Sequence, residues 1–249
     1  MFLGSKFLRS KLLRSKRLSS HLLAIFFAVT SVLFAGSVYA SDEKSRDQAQ
    51  QLIDKASEKI DMFDSTENWE SVKNLTGVAK AIVVFPSGGQ AGFLIGAQWG
   101  RGILLTRDDH RWSEPVFVKF HSAMIGLLAG AQHISGVGVI LSDDVLENIK
   151  SSPTKVGGTA DLTVGKGVSG KVIGGTGGVS AMMVSENKGL YFGGSIDTFT
   201  LSLDNDLNQA VYGDDFSAEK VLSNYDTHQG EAQNLRNRLE GVAYRAVYQ

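Results

Sequence analysis

The spacing of apolar residues near the start of the chain predicts an amphipathic helix. Six apolar residues between positions 47 and 63 fall on one helical face, at i, i+3, i+4, i+7, i+11 and i+14: Ala49, Leu52, Ile53, Ala56, Ile60 and Phe63. The opposite face carries four acidic residues against two lysines, whereas helices that lie on membranes are rich in Lys and Arg. We therefore expect the 47–63 helix to pack on the domain, with binding to a membrane as the alternative.

A glycine-rich apolar stretch at residues 79–107 predicts strongly bent strands. It opens with the apolar run 81–85, which Pro86 is expected to end because proline cannot donate to a sheet ladder. Glycines then recur at every fourth position: Gly88, Gly92, Gly96 and Gly100. Interior glycines would each cost a helix roughly 1 kcal/mol, whereas glycine in a strand marks a bend or a close backbone approach. The expected elements are bent strands at 91–98 and 101–106.

The rest of the chain alternates short apolar runs with glycine-containing turns, which is typical of an antiparallel sheet. Residues 156–203 contain five such runs. Helical spacing returns at the end, where Ser217 is a suitable N-cap. The predicted fold class is α+β and β-rich: a Gly-rich, strongly bent antiparallel sheet, as a barrel or sandwich, with an N-terminal amphipathic helix and C-terminal helices. The sheet core is expected over about 79–213 and the helical tail over 217–246.

The motifs of these strands resemble a known protein family. The segment AKAIVVFPSGGQAGFLIGAQWGRGILL at residues 79–105 is similar to the signature of the SYLF family, also called the Ysc84 actin-binding domain. Similar segments follow in the family's order: WSEP at 112–115, IGLLAGAQ at 125–132, VILSDDVLENI at 139–149, KGLYFGGSID at 188–197 and NQAVYG at 208–213. The resemblance covers roughly residues 50–215 and identifies the chain as a secreted, bacterial-type member.

The resemblance implies a function in lipid binding rather than in catalysis. Eukaryotic members of the family bind membrane lipid in the form of phosphoinositides, and some fungal members bind actin. Bacterial members are secreted proteins of poorly known role, and the family brings no catalytic residues. The expected function is that of a non-catalytic lipid-binding protein at a membrane surface of the cell envelope, which recognises phospholipid head groups. The alternative is a structural or protein-interaction component of the envelope without a lipid ligand.

The first 40 residues have the layout of a secretory signal peptide. Residues 1–21 hold six basic residues and no acidic one, residues 22–36 form an apolar run, and Val38 and Ala40 supply medium or small residues at −3 and −1. Cleavage after Ala40 is expected to leave a single domain of residues 41–249. The alternative is an uncleaved anchor, although the apolar run is shorter than the roughly 20 residues of a spanning helix.

The lack of cysteine and the charge balance limit the compartment and the partners. Without cysteine, the chain has neither a lipobox for an acyl anchor nor a disulfide framework. The processed chain is expected in the periplasm or cell envelope, where actin is not expected as a partner. Its 19 basic and 26 acidic residues give a net charge of −7, which excludes general nucleic-acid binding. Contact with membrane phospholipid therefore needs a local basic patch, and an envelope protein is the second partner class.

Aromatic and basic residues around one bend form the candidate binding patch. The five residues of this patch are Trp99, Arg101, Arg111, Trp112 and Lys119. Tryptophan is favoured at membrane interfaces, and arginine binds phosphate through two parallel hydrogen bonds. We expect these residues to bind lipid head groups, ahead of Arg236 and Arg238 on the tail helix. The alternative is that Trp99 and Trp112 pack in the core.

Motifs for catalysis or cofactor binding are weak. Residues 165–170 match G-x-G-x-x-G, but the following KVIGGTGG cannot form the helix that a dinucleotide site needs. The sequence contains no P-loop and no nucleophile elbow, and the four histidines after residue 40 lack the i, i+4 spacing of a metal site. We therefore expect no catalytic residues, no cofactor and no metal.

The signal peptide gives the first testable prediction. Expression of the full chain in a bacterial host should release a protein that begins at Ser41, and intact mass spectrometry should find it lighter than the 26.8 kDa full chain by residues 1–40. Ala40→Arg, which puts a large charged side chain at −1, should block the cut. Full mass for both proteins would contradict cleavage and favour the anchor.

Overall fold

The computed structural model has a bent antiparallel sheet with helices before and after it. It describes residues 42–66, 70–109, 111–151, 154–164, 167–175, 178–226, 230 and 232–248. The signal peptide and its cleavage site, as expected from the sequence, lie outside the described residues. Residues 1–45 form one unit, of which 42–45 are described and helical, and the chain from Arg46 onward forms a second, compact unit.

Two helices precede the sheet, one lies between its strands and three follow it in the described part of the chain. The described helices are α1 (residues 42–65), α2 (Glu70–Leu75), α3 (Asp143–Ser151), α4 (Asn205–Tyr212), α5 (Ala218–Leu222) and α6 (Gln233–Tyr248). The described strands are β1 (Ala81–Asp108), β2 (Arg111–Trp112), β3 (Val116–Ile140), β4 (Thr154–Val164), β5 (Gly167–Gly175) and β6 (Gly178–Leu203). None of these described helices has the length and apolar character that crossing a bilayer requires.

All strand pairs in the sheet are antiparallel. Neighbouring strands follow the order β2-β1-β3-β6-β4, and β5 also pairs with β6. Among the described strands, no pairing joins one end of this order to the other, so the sheet is open rather than closed into a barrel. The predicted α+β class, the antiparallel sheet and the helices at both ends are confirmed.

Strand β1 doubles back on itself. Its first arm is residues 81–90, and its second arm is residues 97–107. Nε2 of Gln98 in the second arm donates a hydrogen bond of 2.6 Å to Oε1 of Gln90 in the first arm. Eight residues of extended strand would span about 26 Å, so the backbone must reverse between these two glutamines. Strand β3 follows the same course, because it pairs with both arms.

Glycines allow the two arms of β1 to touch. A Cβ atom on Gly102 would collide with the carbonyl oxygen of Val84 and would lie 2.5 Å from Cδ1 of Phe85. A Cβ atom on Gly88 would lie 2.6 Å from the carbonyl oxygen of Trp99. The prediction of bent strands with close backbone approach is therefore confirmed, but the separate strands expected at 91–98 and 101–106 are parts of the continuous strand β1.

Pro86 does not end the first strand, so that prediction was wrong. Strand β1 is continuous from Ala81 to Asp108, and its pairing with β3 shifts register between Phe85 and Gly88. At such an irregularity the ladder is locally interrupted, so the missing N–H of proline leaves no gap in the hydrogen bonding.

Two apolar clusters cover the sheet and use alternate residues of β1. Ile82 and Val84 belong to a cluster that also contains buried residues of α1 and α6. Val83 and Phe85 belong to a second cluster, which contains buried residues of α3 and α5. Successive side chains of a strand point to opposite faces, so the run 81–85 is apolar throughout because it is buried on both faces.

Helix α1 packs on this core through its apolar face. Ala49, Ile53, Ala56, Ile60 and Phe63 are each at most 4% exposed and belong to the cluster shared with α6. The expectation that the 47–63 helix packs on the domain is confirmed. Binding to a membrane through the same face would require the helix to leave the core.

The close approach of the two arms predicts that Gly102→Ala destabilises the protein. The added methyl group should lower the free energy of unfolding by about 1–3 kcal/mol, because backbone atoms of Val84 cannot move away easily. Urea denaturation followed by circular dichroism would measure the loss.

Gly241→Ala on helix α6 is the matched control. A Cβ atom there meets only Nη1 of Arg245, at the ordinary distance of 3.5 Å. Stability should stay the same or rise by up to about 1 kcal/mol, because alanine favours a helix over glycine. Equal losses for Gly102→Ala and Gly241→Ala would contradict the close packing of the arms.

Candidate functional site

A cavity of about 680 Å³ opens where helix α1 meets the two arms of β1. Its walls come from α1, β1, β3 and the start of α4. Leu52 of α1 and Phe120 of β3 contribute apolar surface to it. Gly88, Gly89 and Gly100 line it with backbone that carries no side chain. We call it the α1–β1 cavity.

Basic side chains from three elements meet in the α1–β1 cavity. Helix α1 contributes Lys55, β1 contributes Arg101, and β3 contributes Lys119 together with the imidazoles of His121 and His133. None of the described residues that line the cavity is acidic. Because residues 41–249 carry a net charge of −7, this is a local concentration of positive charge in an acidic chain, as an anion-binding site requires.

A buried carboxylate holds Arg101 in place. Nε of Arg101 donates a hydrogen bond of 2.8 Å to Oδ2 of Asp204, and its Nη1 donates to Oε1 of Gln48 at 3.4 Å. The Asp204 side chain is fully buried, whereas about half of the Arg101 side chain is exposed. Because this pair offsets the charge of Arg101, the net positive charge of the cavity rests mainly on Lys55 and Lys119.

Asp204 is positioned by the junction between α4 and β3. Its backbone N donates to the carbonyl of Phe117 at 2.9 Å, and Asn208 bonds both the N–H and the carbonyl of Phe117 at 2.8 Å. Asp204 is the N-cap residue of α4, yet its side chain makes no capping hydrogen bond and pairs with Arg101 instead. The sequence analysis did not assign Asp204 to the site, because an acid directly before a helix predicts an N-cap and not an ion pair.

Trp99 lies at the rim of the α1–β1 cavity, and 51% of its surface is exposed. Its indole ring packs on Gly89, where a Cβ atom would lie 2.7 Å from Cζ2 of the ring. Across the sheet Trp99 pairs with His121 of β3. A half-exposed tryptophan beside basic groups is typical of an interfacial contact, so the alternative of core packing does not hold for Trp99.

The structure brings three of the five predicted patch residues to the cavity: Trp99, Arg101 and Lys119. Arg111 and Trp112 lie on β2 and do not line it. Arg111 pairs with Asp226 at 2.5 Å and with Asp108 at 3.3 Å. Trp112 is 1% exposed, with the guanidinium of Arg107 5.9 Å from its ring centroid, so the core-packing alternative describes Trp112.

The basic residues of the tail helix α6 are paired with acids elsewhere. Arg236 is 3% exposed and lies 2.9 Å from Glu114, and Arg238 pairs with Asp61 of helix α1. These ion pairs fix α6 against the sheet and α1. They leave the α1–β1 cavity as the better candidate for an anion.

Lys55, His121 and His133 are cavity residues that the sequence reasoning did not assign to the site. Lys55 was visible only as part of a polar helix face, and the two histidines as isolated residues at strand ends. Nothing in the sequence indicates that α1 docks beside β3. Across the part of the chain that the structure describes, no three His, Asp or Glu side chains are grouped to hold a metal ion.

Comparisons with known proteins agree with the resemblance of the motifs. Residues 121–242 match the Ysc84 family, which is described as "Las17-binding protein actin regulator". Protein YSC84 of Saccharomyces cerevisiae is 27% identical over 161 residues, which cover 62% of this chain and 34% of that protein. LAS seventeen-binding protein 3 of the same yeast is 26% identical over 140 residues, 54% of this chain and 30% of that protein.

A third relative comes from fission yeast. The SH3 domain-containing protein PJ696.02 of Schizosaccharomyces pombe is 29% identical over 140 residues, which cover 54% of this chain and 33% of that protein. The chain therefore spans about a third of the length of the curated relatives it matches. About two thirds of each of these relatives lies outside the match.

Solved structures match only at low similarity. The virulence-associated protein VapD from the intracellular pathogen Rhodococcus equi is 13% identical, with 49% of this chain and 96% of that chain covered and a TM-score of 0.31. The virulence-associated protein VapB from Rhodococcus equi is 11% identical, with 48% and 94% covered and a TM-score of 0.27. Similarity at this level carries no argument about fold or function.

The Arg101–Asp204 pair predicts that Arg101→Ala destabilises the fold. Removal of the guanidinium leaves the buried Asp204 carboxylate without its ion-pair partner, and the free energy of unfolding should fall by about 1–3 kcal/mol. Lys119→Ala, at an exposed position of the same cavity, should change it by less than about 0.5 kcal/mol. Urea denaturation of both variants would measure the difference.

A double-mutant cycle isolates the pair from other effects of the substitution. In an Asp204→Asn background, which removes the buried charge, Arg101→Ala should cost clearly less than it does in the wild type. Equal costs in both backgrounds would show that Asp204 does not depend on Arg101.

Proposed function

We propose that this chain, which belongs to the Ysc84 family through residues 121–242, binds the head groups of anionic phospholipids in the α1–β1 cavity. The binding is non-catalytic and takes place at a membrane surface. The observation that carries this proposal is the convergence of basic side chains from α1, β1 and β3 on one cavity, where no described lining residue is acidic.

The chemistry of the cavity suits a phosphate ester better than it suits a catalytic reaction. Lys55 and Lys119 supply charge, and the Arg101 guanidinium, oriented by Asp204, supplies directed donors. Trp99 adds a half-exposed indole at the rim, the position in which tryptophan contacts the interface between lipid head groups and acyl chains. The proposed ligand is therefore an amphiphilic anion.

The proposal includes a cellular site. After export and cleavage near Ala40, the protein acts at the periplasmic or envelope side of a membrane. The basic, apolar and small-residue segments of residues 1–40 support export. Actin is not proposed as a partner of this chain, because an exported protein would not meet it.

Binding of a protein partner is the second candidate function. Its support is the name of a relative, LAS seventeen-binding protein 3, and the description of the family as Las17-binding. For an exported chain the corresponding partner would be an envelope protein. Ionic strength separates the two candidates, since binding through exposed lysines weakens in salt whereas an apolar protein interface does not.

Liposome flotation tests the lipid proposal directly. The exported protein should float with phosphatidylglycerol-containing vesicles at low salt, and less so at high salt or with phosphatidylcholine alone. Lys55→Ala combined with Lys119→Ala should reduce binding to the anionic vesicles roughly 30-fold, at about 1 kcal/mol per lysine. Arg101 is kept in this variant, because its loss would also affect stability.

The matched control removes the same charge elsewhere. Lys80 and Lys220 are exposed lysines outside the cavity lining, so the Lys80→Ala, Lys220→Ala variant has the same net charge as the cavity variant. It should retain most of the binding. Equal losses in the two variants would indicate non-specific attraction, and no flotation of the wild type would overturn the lipid proposal.

A further inference from the structure

The reversal of strand β1 exposes large apolar side chains. Phe93 is 75% exposed, Leu94 52% and Ile95 69%, and Ile125 on the neighbouring part of β3 is 70% exposed. These four residues form what we call the bend tip. In folded proteins a group of exposed large apolar side chains of this kind marks an interaction surface.

The backbone at the bend tip is strained at Leu94, although a glycine at this position would form the turn without strain. Leu94 has a φ of +65°, in the left-handed region that favours glycine or asparagine. The pairing of β1 with β3 shifts register at this point, between Phe93 and Ile95. A glycine would make the same turn without strain. The leucine at position 94 is therefore explained better by a partner outside the chain that its exposed side chain contacts.

An exposed face of the sheet connects the bend tip to the α1–β1 cavity. Three cross-strand pairs follow one another along β1 and β3, with all six residues exposed: Ile95 with Ile125, Ala97 with Ala123, and Trp99 with His121. Successive pairs two residues apart share a face of the sheet. From the bend tip towards the cavity, the exposed face therefore carries large apolar side chains, then small ones, and then the tryptophan and the basic groups of the cavity.

We infer that the bend tip inserts into the acyl layer of an anionic membrane while the α1–β1 cavity holds a head group. This inference rests on the proposed function. The order from apolar tip through Trp99 to the cationic cavity matches the order from acyl chains through the interface to the anionic head groups.

A bilayer fits this surface better than a second copy of the chain does. His121 lies on the exposed face and Lys119 two residues before it on β3, and a symmetric partner would bring the same basic groups against them. An anionic membrane satisfies both halves of the surface, the apolar tip and the basic cavity, at the same time.

Site-specific fluorescence tests the insertion. The chain has no cysteine, so Phe93→Cys gives a single attachment point for the environment-sensitive dye NBD. On the exported protein with phosphatidylglycerol–phosphatidylcholine vesicles, NBD emission at position 93 should shift to the blue. Lipids with a doxyl quencher on the acyl chain should quench it. Asp215→Cys, exposed and on the loop before α5, is the control and should show neither effect.

Flotation of the same samples separates failure of the inference from failure of the proposed function. Vesicle binding without a blue shift at position 93 would overturn the insertion and leave head-group binding intact. Absence of vesicle binding by the unlabelled protein would overturn both.

A polar variant gives an independent measure. Phe93→Ser combined with Ile95→Ser should weaken vesicle binding at least tenfold and leave its salt dependence unchanged, because burial of two large apolar side chains is lost. The Lys55→Ala, Lys119→Ala variant should instead lose the salt dependence. Unchanged affinity of the serine variant would overturn the inference and leave the bend tip as a surface for a protein partner.

Discussion

The close approach of the two arms of β1 is the constraint on which the rest of the structure depends. At the closed end, Gln98 bonds Gln90, and at the open end the N–H of Arg107 bonds the carbonyl of Lys80 at 2.9 Å. Glycine where the arms touch allows this packing. Since β3 pairs with both arms, the same backbone reversal forms two features. The α1–β1 cavity lies along the arms, and the exposed bend tip lies where the strand turns.

The docking of helix α1 explains why an amphipathic helix next to a proposed membrane surface is not itself the membrane contact. Its apolar face is buried in the core, and its acids Asp61 and Asp64 pair with Arg238 and Arg245 of α6. Helix α1 lines the cavity mainly with polar side chains, of which Lys55 is the charged one. The basic groups of α6 are thereby used for packing, and the cavity keeps its positive charge on side chains from three separate elements.

The sequence was informative where the site depends on local chain geometry, and less so where it depends on docking. Trp99, Arg101 and Lys119 could be predicted because they flank one bend between paired strands. Arg111 and Trp112 are as close in sequence, but β2 directs Arg111 towards Asp226 and buries Trp112. Lys55, His133 and Asp204 reach the site only through tertiary packing, which no local pattern encodes. The type of the N-terminal helix followed from its apolar periodicity, whereas the continuation of β1 through Pro86 depended on a register shift that only the pairing with β3 shows.

The central claim, that the α1–β1 cavity binds an anionic head group, can be tested without a bilayer. Dihexanoyl phosphatidylglycerol, a water-soluble short-chain lipid, would be titrated into the exported protein below its micelle concentration, with the indole N–H resonance of Trp99 followed by NMR and assigned with Trp99→Phe. The account predicts a saturable shift of this resonance that dihexanoyl phosphatidylcholine does not reproduce and that Lys55→Ala with Lys119→Ala removes. An unmoved Trp99 resonance, or equal shifts with both lipids, would contradict it.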